Sequence, residues 1–223
     1  MEFIDKNNFM DRSIKTLGEI FDMLAKLPVI PLKDLRGKQT AFVMVDMLNG
    51  FTREGALKSS RIEGLIPEIV RLSKLCGASG ITRLAFADAH SDASPEFGAY
   101  PVHCMEGTRE SEIVDEIKET GGYKLILKNS TNGFLEDEFR KWLEENPQTD
   151  TFIITGDCTD ICIQQLAVSL KTWFNRQNRK SRIIVPVNAV ETYDGGLHNG
   201  DLTHVAALFN MITNGVEAVG GIE

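Results

Sequence analysis

Cys162 closes the run Thr155-Gly156-Asp157-Cys158-Thr159-Asp160-Ile161-Cys162, placed where a strand hands over to a helix, a position that suits a nucleophile. The run Thr151 to Thr155 is apolar and β-branched enough for a buried strand, Gly156 permits a sharp turn, and Thr159 or Asp160 can cap a helix from Ile161 onward. Cys162 then falls in the first helical turn. There, free backbone N–H groups and the positive end of the helix dipole would stabilise a thiolate and lower the thiol pKa. A cysteine among apolar neighbours also reads as a small buried hydrophobe, so a nucleophile needs partners elsewhere in the chain. Asp46, Asp88 and Lys128 are candidates, because each closes a strand-like apolar run. Singly, an Asp after a strand caps a turn and a Lys faces solvent. At the carboxyl edge of an open α/β sheet, where ligands bind, all four side chains would converge.

A second set is Asp88, His90 and His103, with Glu96 between them. One carboxylate and two imidazoles suit a divalent Zn, Mn or Fe ion. The Asp-x-His spacing puts Asp88 and His90 on the same side of an extended strand end, since side chains alternate along a strand. The competing reading is a pair of satisfied, non-ligating histidines. His198 and His204, the other two of four histidines, carry no such pattern and read as surface or helix-capping residues.

The elements that must hold these groups follow from periodicity. From Thr40 on, β-rich apolar runs alternate with amphipathic helical stretches, the pattern of a parallel sheet covered by helices on both faces. The expected fold is a three-layer α/β/α domain on a mainly parallel six-stranded sheet, spanning 39–223, preceded by an N-terminal helical extension over 1–38. Strands are expected at Ala41 to Asp46, Arg83 to Asp88, Lys124 to Lys128, Thr151 to Thr155, Arg182 to Val187 and Val216 to Val219. Pro186 cannot donate to a ladder, so the fifth strand must bulge or stop pairing there. Ile62, Leu65, Ile66, Ile69, Leu72 and Cys76 trace one helical face, and Phe134, Leu135, Phe139 and Trp142 another. Helices also fit Ile161 to Phe174 and His204 to Ile212. In the extension, Asp11 can cap a helix striped by Ile14, Leu17, Phe21 and Leu24, which packs on its own subunit or reaches a neighbour.

The quoted motifs together resemble the isochorismatase-like cysteine hydrolases, and most closely their metal-dependent nicotinamidase branch, over roughly residues 40 to 220. In order they are Val45-Asp46-Met47-Leu48-Asn49-Gly50-Phe51, Asp88-Ala89-His90, Tyr100-Pro101-Val102-His103-Cys104 with Gly107-Thr108, Lys128 before Gly133-Phe134, and Gly156 through Cys162. The resemblance implies a catalytic triad of Asp46, Lys128 and Cys162, with Cys162 attacking a carbonyl carbon to form a thioester. It implies an oxyanion hole from the backbone N–H groups of Cys158 and Cys162, and a cis peptide between Asp157 and Cys158. Asp88, His90 and His103 match metal ligands, with Zn expected first and Mn or Fe next, and Glu96 falls near a fourth ligand position where the family often has His. Phe51 and Tyr100 match aromatic positions that sandwich a ring, with Phe134 either closing the pocket or packing in the core. Leu48 departs from the Gln common in nicotinamidases. The implied activity is hydrolysis of nicotinamide or a related small carboxamide to acid and ammonia. A ureido or carbamoyl substrate, or a non-catalytic binding or scaffold role on the same fold, are the alternatives. Family analogy adds a homo-oligomer.

Composition bounds the rest. The 223 residues, 42% of them hydrophobic, can bury one sizeable core. A net charge of -8 disfavours a nucleic-acid backbone as partner and leaves small molecules or proteins, of which the resemblance implies a small-molecule amide. No apolar run nears the roughly 18 to 20 residues that span a bilayer, and the polar first ten residues do not resemble a secretion signal, so the expectation is cytoplasmic and without a membrane partner. The four cysteines lack disulfide or zinc-ribbon spacing and are expected as free thiols.

Overall fold

A computed structural model describes residues 4–35 and 39–223. Its main sheet carries six strands in the spatial order β4-β3-β2-β5-β6-β8, all parallel: β2 (Thr40–Val45), β3 (Thr82–Asp88), β4 (Lys124–Lys128), β5 (Thr151–Asp157), β6 (Arg182–Pro186) and β8 (Glu217–Val219). A two-residue strand, β7 (Val190–Glu191), pairs with the end of β5. A second, two-stranded sheet joins β1 (Val29–Ile30) to β9 (Gly221–Ile222).

β2 is buried at every position, which is what a strand covered on both faces requires. Its alternate residues feed two cores. Phe42 and Met44 meet Ile62, Ile69 and Leu72, whereas Val43 and Val45 face Phe139, Leu166 and Leu170. The first layer comes from α3 (Ser60–Glu63) and α4 (Ile66–Ala78). The second comes from α6 (Asp137–Glu145), α7 (Gln164–Arg176) and α8 (Gly200–Thr213). Short helices α2 (Asn49–Thr52) and α5 (Asp115–Lys118) lie in the connections. This is the three-layer arrangement read from the sequence.

Several boundaries differ for physical reasons. The single helical face from Ile62 to Cys76 is broken at Gly64 and Leu65, because Pro67 fits only the first turn of a helix and so opens a new one. Pairing of β6 with β5 stops at the Ile153–Ile184 couple, and β7 takes over opposite Gly156 and Asp157, so Pro186 never has to donate to β5. The N-terminal helix α1 (Lys6–Leu24) starts one turn or more before Asp11, since the Asp5 side chain accepts from the Asn8 N–H at 2.9 Å. Of its expected stripe, Leu24 is buried against the second core, while Ile14 and Phe21 stay 64% and 60% exposed. β1 follows it and is held to the C-terminus by β9. The expected boundary between 38 and 39 adjoins residues 36–38, outside the described residues. Among the described residues no helix is long and apolar enough to cross a membrane.

Candidate active site and metal centre

Four adjacent strands end in four ionisable residues. Lys128, Asp88 and Asp157 are the last residues of β4, β3 and β5, and Asp46 directly follows β2. Asp46 turns out of the strand with φ 55°, a left-handed backbone that Asp tolerates better than most residues. Gly156 explains how β5 can come so close. Its φ is 113°, and a Cβ there would stand 1.9 Å from the Val45 carbonyl oxygen, so only glycine lets the end of β5 lie against β2. The next peptide, Asp157–Cys158, is cis, as the resemblance implied.

Beyond it the chain makes a π-helical turn, Thr159–Ile163, and only then α7. The sequence suggested an α-helix from Ile161 capped by Thr159 or Asp160. Instead, Cys158 stands at the start of the turn, its carbonyl accepting from the Ile161 and Ile163 N–H groups at 3.0 and 3.1 Å. π turns recur at functional sites because they re-aim a side chain. Here the turn carries Cys162 to the sheet edge, with its Sγ 3.7 Å from Lys128 Nζ.

Lys128 is the hub. Its buried Nζ lies 2.8 Å from Asp46 Oδ2 and 2.5 Å from Asp88 Oδ1, and donates to the Ser130 carbonyl at 3.2 Å. Burial alone would discharge the ammonium, but Asp46 and Asp88 outweigh it and hold its pKa well above the ordinary lysine value. Burial, reinforced by Asp88, pushes the Asp46 carboxyl up to about 7 against the pull of Lys128 and a hydrogen bond from Cys162. For Asp88 burial works upward too, yet Lys128 and His90 prevail and hold it below the usual carboxylate value. Burial also raises the Cys162 thiol well above its ordinary value, opposed by Lys128 and helped by Asp46. This direction is opposite to the lowered thiol pKa expected at a helix terminus: Cys162 is 6% exposed, and burial is the first cause acting on it.

Asp88, His90 and His103 form the cluster read as metal-ligating, their donor atoms all within 4.8 Å of one another. The donor chemistry fits a cation. His90 Nδ1 faces Asn129 Oδ1 at 3.2 Å and His103 Nδ1 faces the Pro101 carbonyl at 2.8 Å, which orients both Nε2 atoms toward Asp88. His90 Nε2 is buried without a hydrogen-bond partner, 3.5 Å from Asp88 Oδ1. Glu96 stands outside this cluster. Its Oε2 is 3.8 Å from His90 Nε2, while its Oε1 accepts from the Thr131 N–H at 2.8 Å.

A cavity partly open to solvent adjoins both sets. Asp46, Cys158, Cys162 and Asp88 line it with His103 and Glu96, and Phe51 and Tyr100 form aromatic walls near His103, at centroid distances of 5.7 and 6.2 Å. Phe134 does not line it. Its ring turns to Phe139 and Trp173 in the second core, the packing alternative given above, because its short helical turn at Gly133–Leu135 faces α6 and α7. Leu48 is buried and absent from the wall.

The sequence did not single out Tyr193, Asp157 or Ile161 as wall residues, nor the two remaining histidines as braces. His198 is partly exposed but engaged: its ring stacks on Tyr193 at 4.0 Å and its Nε2 lies 2.8 Å from Asp160 Oδ2. His204 shares a hydrogen bond of 2.9 Å with Thr159 Oγ1. Both hold the π turn from loops and helices distant in sequence, so only the pairing of Asp160 and Thr159 within the motif hinted at them.

A parallel three-layer α/β domain whose sheet edge presents Asp, Lys and Cys beside an Asp–His–His cluster defines the class, and the isochorismatase-domain signature matches residues 40–216. The chain belongs to the isochorismatase family. It is 32% identical over 209 residues to Nicotinamidase 1 of Arabidopsis thaliana, spanning 84% of this chain and 82% of that one. Similar folds include N-carbamoylsarcosine amidase from Thermoplasma acidophilum, with a TM-score of 0.67 and 24% identity over 81% of this chain and 95% of that one. The pyrazinamidase of Pyrococcus horikoshii in complex with zinc is another, with a TM-score of 0.68 and 21% identity over 81% and 98% of the two chains.

Proposed function

We propose that this chain is a metal-assisted cysteine amidohydrolase that converts nicotinamide or a related small carboxamide to its acid and ammonia through a thioester on Cys162. That it is a hydrolase acting on amides follows from its family and its kinship with a nicotinamidase. The observation that carries the finer reading is Lys128, whose one buried Nζ lies beside three residues of the cavity wall, Asp46, Asp88 and Cys162.

In this reading Asp46 takes the Cys162 proton as Sγ attacks the amide carbon. A carboxyl near pH 7 is populated in both forms at neutral pH, so it can accept that proton and then give it to the departing ammonia. Lys128, kept charged, holds Asp46 in register and offsets the negative charge that develops beside it. The backbone N–H groups of Cys158 and Cys162 would bind the tetrahedral oxyanion. Water then attacks the thioester, losing its proton to Asp46, which returns it to the Cys162 sulfur. Asp88, His90 and His103 would hold one divalent ion, Zn or alternatively Mn or Fe, supplying a Lewis acid to a substrate heteroatom. Phe51 and Tyr100 would flank a flat substrate and keep water from its faces.

A ureido or carbamoyl amide as substrate is a second reading, favoured by the polar wall residue Asp157. A purely non-catalytic scaffold fits poorly with a buried Lys, two Asp and a Cys brought together, an arrangement costly to fold without a use. The test is ammonia release from nicotinamide by metal-loaded protein beside Cys162→Ala prepared identically. Turnover absent from the variant is expected. Equal rates in both would end the Cys162 mechanism, and no turnover of any small amide would end the amidase reading.

A further inference from the structure

Asp157 has no part in the mechanism above, yet it stands in the same cavity. It lies one step beyond the Val45–Gly156 couple of β2 and β5, in the row of Asp46. Its residue is 1% exposed, and it lines the wall with Cys158, Ile161, Cys162 and Tyr193. Neither carboxyl oxygen meets a hydrogen-bond partner on another residue.

A buried carboxyl without a partner is costly, and an apolar side chain would fill the same wall more cheaply. Its missing partner is therefore to be sought in the cavity it lines. Burial first, and then Asp46, push its pKa well above the ordinary value, against Lys128. Neutral or ionised, however, the group keeps at least one accepting oxygen, so an N–H complements it in either state. A plain pyridine edge supplies only C–H groups and one acceptor nitrogen, and in the reading above that nitrogen is the heteroatom an ion at Asp88, His90 and His103 would take, which leaves nothing for Asp157. The surrounding carboxyls Asp46, Asp88 and Glu96 disfavour an anionic substituent in the same space.

We propose that Asp157 is a specificity-determining residue that accepts a hydrogen bond from a substrate N–H outside the scissile amide. The site accordingly prefers small neutral amides bearing an amino or ureido group over nicotinamide itself. This preference rests on the amide-hydrolase reading of the same site.

Binding is read by calorimetry on metal-loaded Cys162→Ala protein, which separates affinity from turnover. The probes are nicotinamide, 2-aminonicotinamide, 6-aminonicotinamide and 2-ureidoacetamide. At least one N–H-bearing probe is expected to bind about tenfold or more tightly than nicotinamide, as sites built to hydrogen-bond a substrate discriminate against analogues lacking the group. Adding Asp157→Leu should erase that preference, and Asp157→Asn, which keeps an accepting oxygen, should retain most of it. Nicotinamide binding as tightly as all three, or a preference that survives the leucine, overturns the proposal. Should the leucine variant not fold, infrared difference spectra decide. The buried carboxyl band, identified by its loss in Asp157→Asn, should shift with the preferred probe and not with nicotinamide, and an unmoved band overturns the proposal. If wild-type protein releases ammonia from none of the probes while the Asp157-dependent preference persists, the hydrolase reading fails and this one stands.

Discussion

At the scale of single residues, the site depends on which group owns a proton. Burial pushes the Cys162 thiol up and the Asp46 carboxyl up to about 7, while Asp46 and Asp88 keep Lys128 charged. Asp88 is shared between two tasks. One oxygen pairs with Lys128, and the other faces His103 Nε2 at 3.9 Å, so the candidate metal centre and the Lys128 ion pair share a carboxylate. Replacing His103 by Ala should therefore remove one of three donors and lower metal affinity by more than the roughly ten- to a hundredfold that follows loss of a mere hydrogen-bond partner of a ligand. Elemental analysis and metal titration check this, and unchanged metal content in the variant would defeat the ligand assignment. Thermal stability without metal should fall as well, because the buried His103 ring packs against Phe51, His90, Phe97 and Tyr100, so metal content and not melting is the readout.

At the scale of elements, the end of β5 sets the position of the site. Gly156 lets β5 lie against Val45, and the π turn that follows delivers Cys162 to Lys128. Gly156→Ala would put a methyl 1.9 Å from a backbone oxygen at a φ that side chains avoid, and strands β2 and β5 cannot part without opening both cores. We expect destabilisation of about 3 kcal/mol or more by chemical denaturation, with loss of activity in whatever folds. A cost under about 1 kcal/mol would mean that β5 is free to move away. These elements were unequally legible. Strand runs such as Thr151 to Thr155, and the residue that closes β3, could be read directly, because a strand buried on both faces has a nearly continuous apolar sequence and its last residue must face the ligand edge. Helix limits were read less well: Asp5 took the cap assigned to Asp11, and Pro67 split one apolar face into two helices. The π turn and the Asp160–His198 contact could not be read, since neither leaves a periodic trace and the second spans 38 residues of chain. Phe134 shows the remaining limit. A Phe after a strand end can point to the cavity or to the core, and only the facing Phe139 and Trp173 decide.

At the scale of the whole molecule, collecting acids at one buried edge couples folding to pH. Asp46 goes from an ordinary value of 3.8 to about 7 on folding, and Asp157 is also raised, both chiefly by burial. An acid whose folded pKa is raised favours folding while protonated. Its contribution is fully present below the unfolded value and is lost as pH rises through the folded one. For Asp46 that window runs from about 4 to about 7. Asp88, lowered on folding, acts oppositely but only as pH falls below the ordinary carboxylate range. His204, held neutral by burial, also acts oppositely, below its ordinary value of 6.5. Metal-free protein should accordingly lose stability between pH 5 and 8, by an amount on the order of 1 kcal/mol per unit of pKa change sampled. Asp46→Asn removes one contribution within that window and should reduce the slope while leaving the His204 effect in place. Melting of both proteins in chelator across pH 5 to 8 compares the slopes, and identical slopes would show that Asp46 titrates alike in the folded and unfolded chains. Restoring a divalent ion should recover the lost stability most at the alkaline end, where the carboxylates around Asp88 are fully charged and a cation offsets their repulsion.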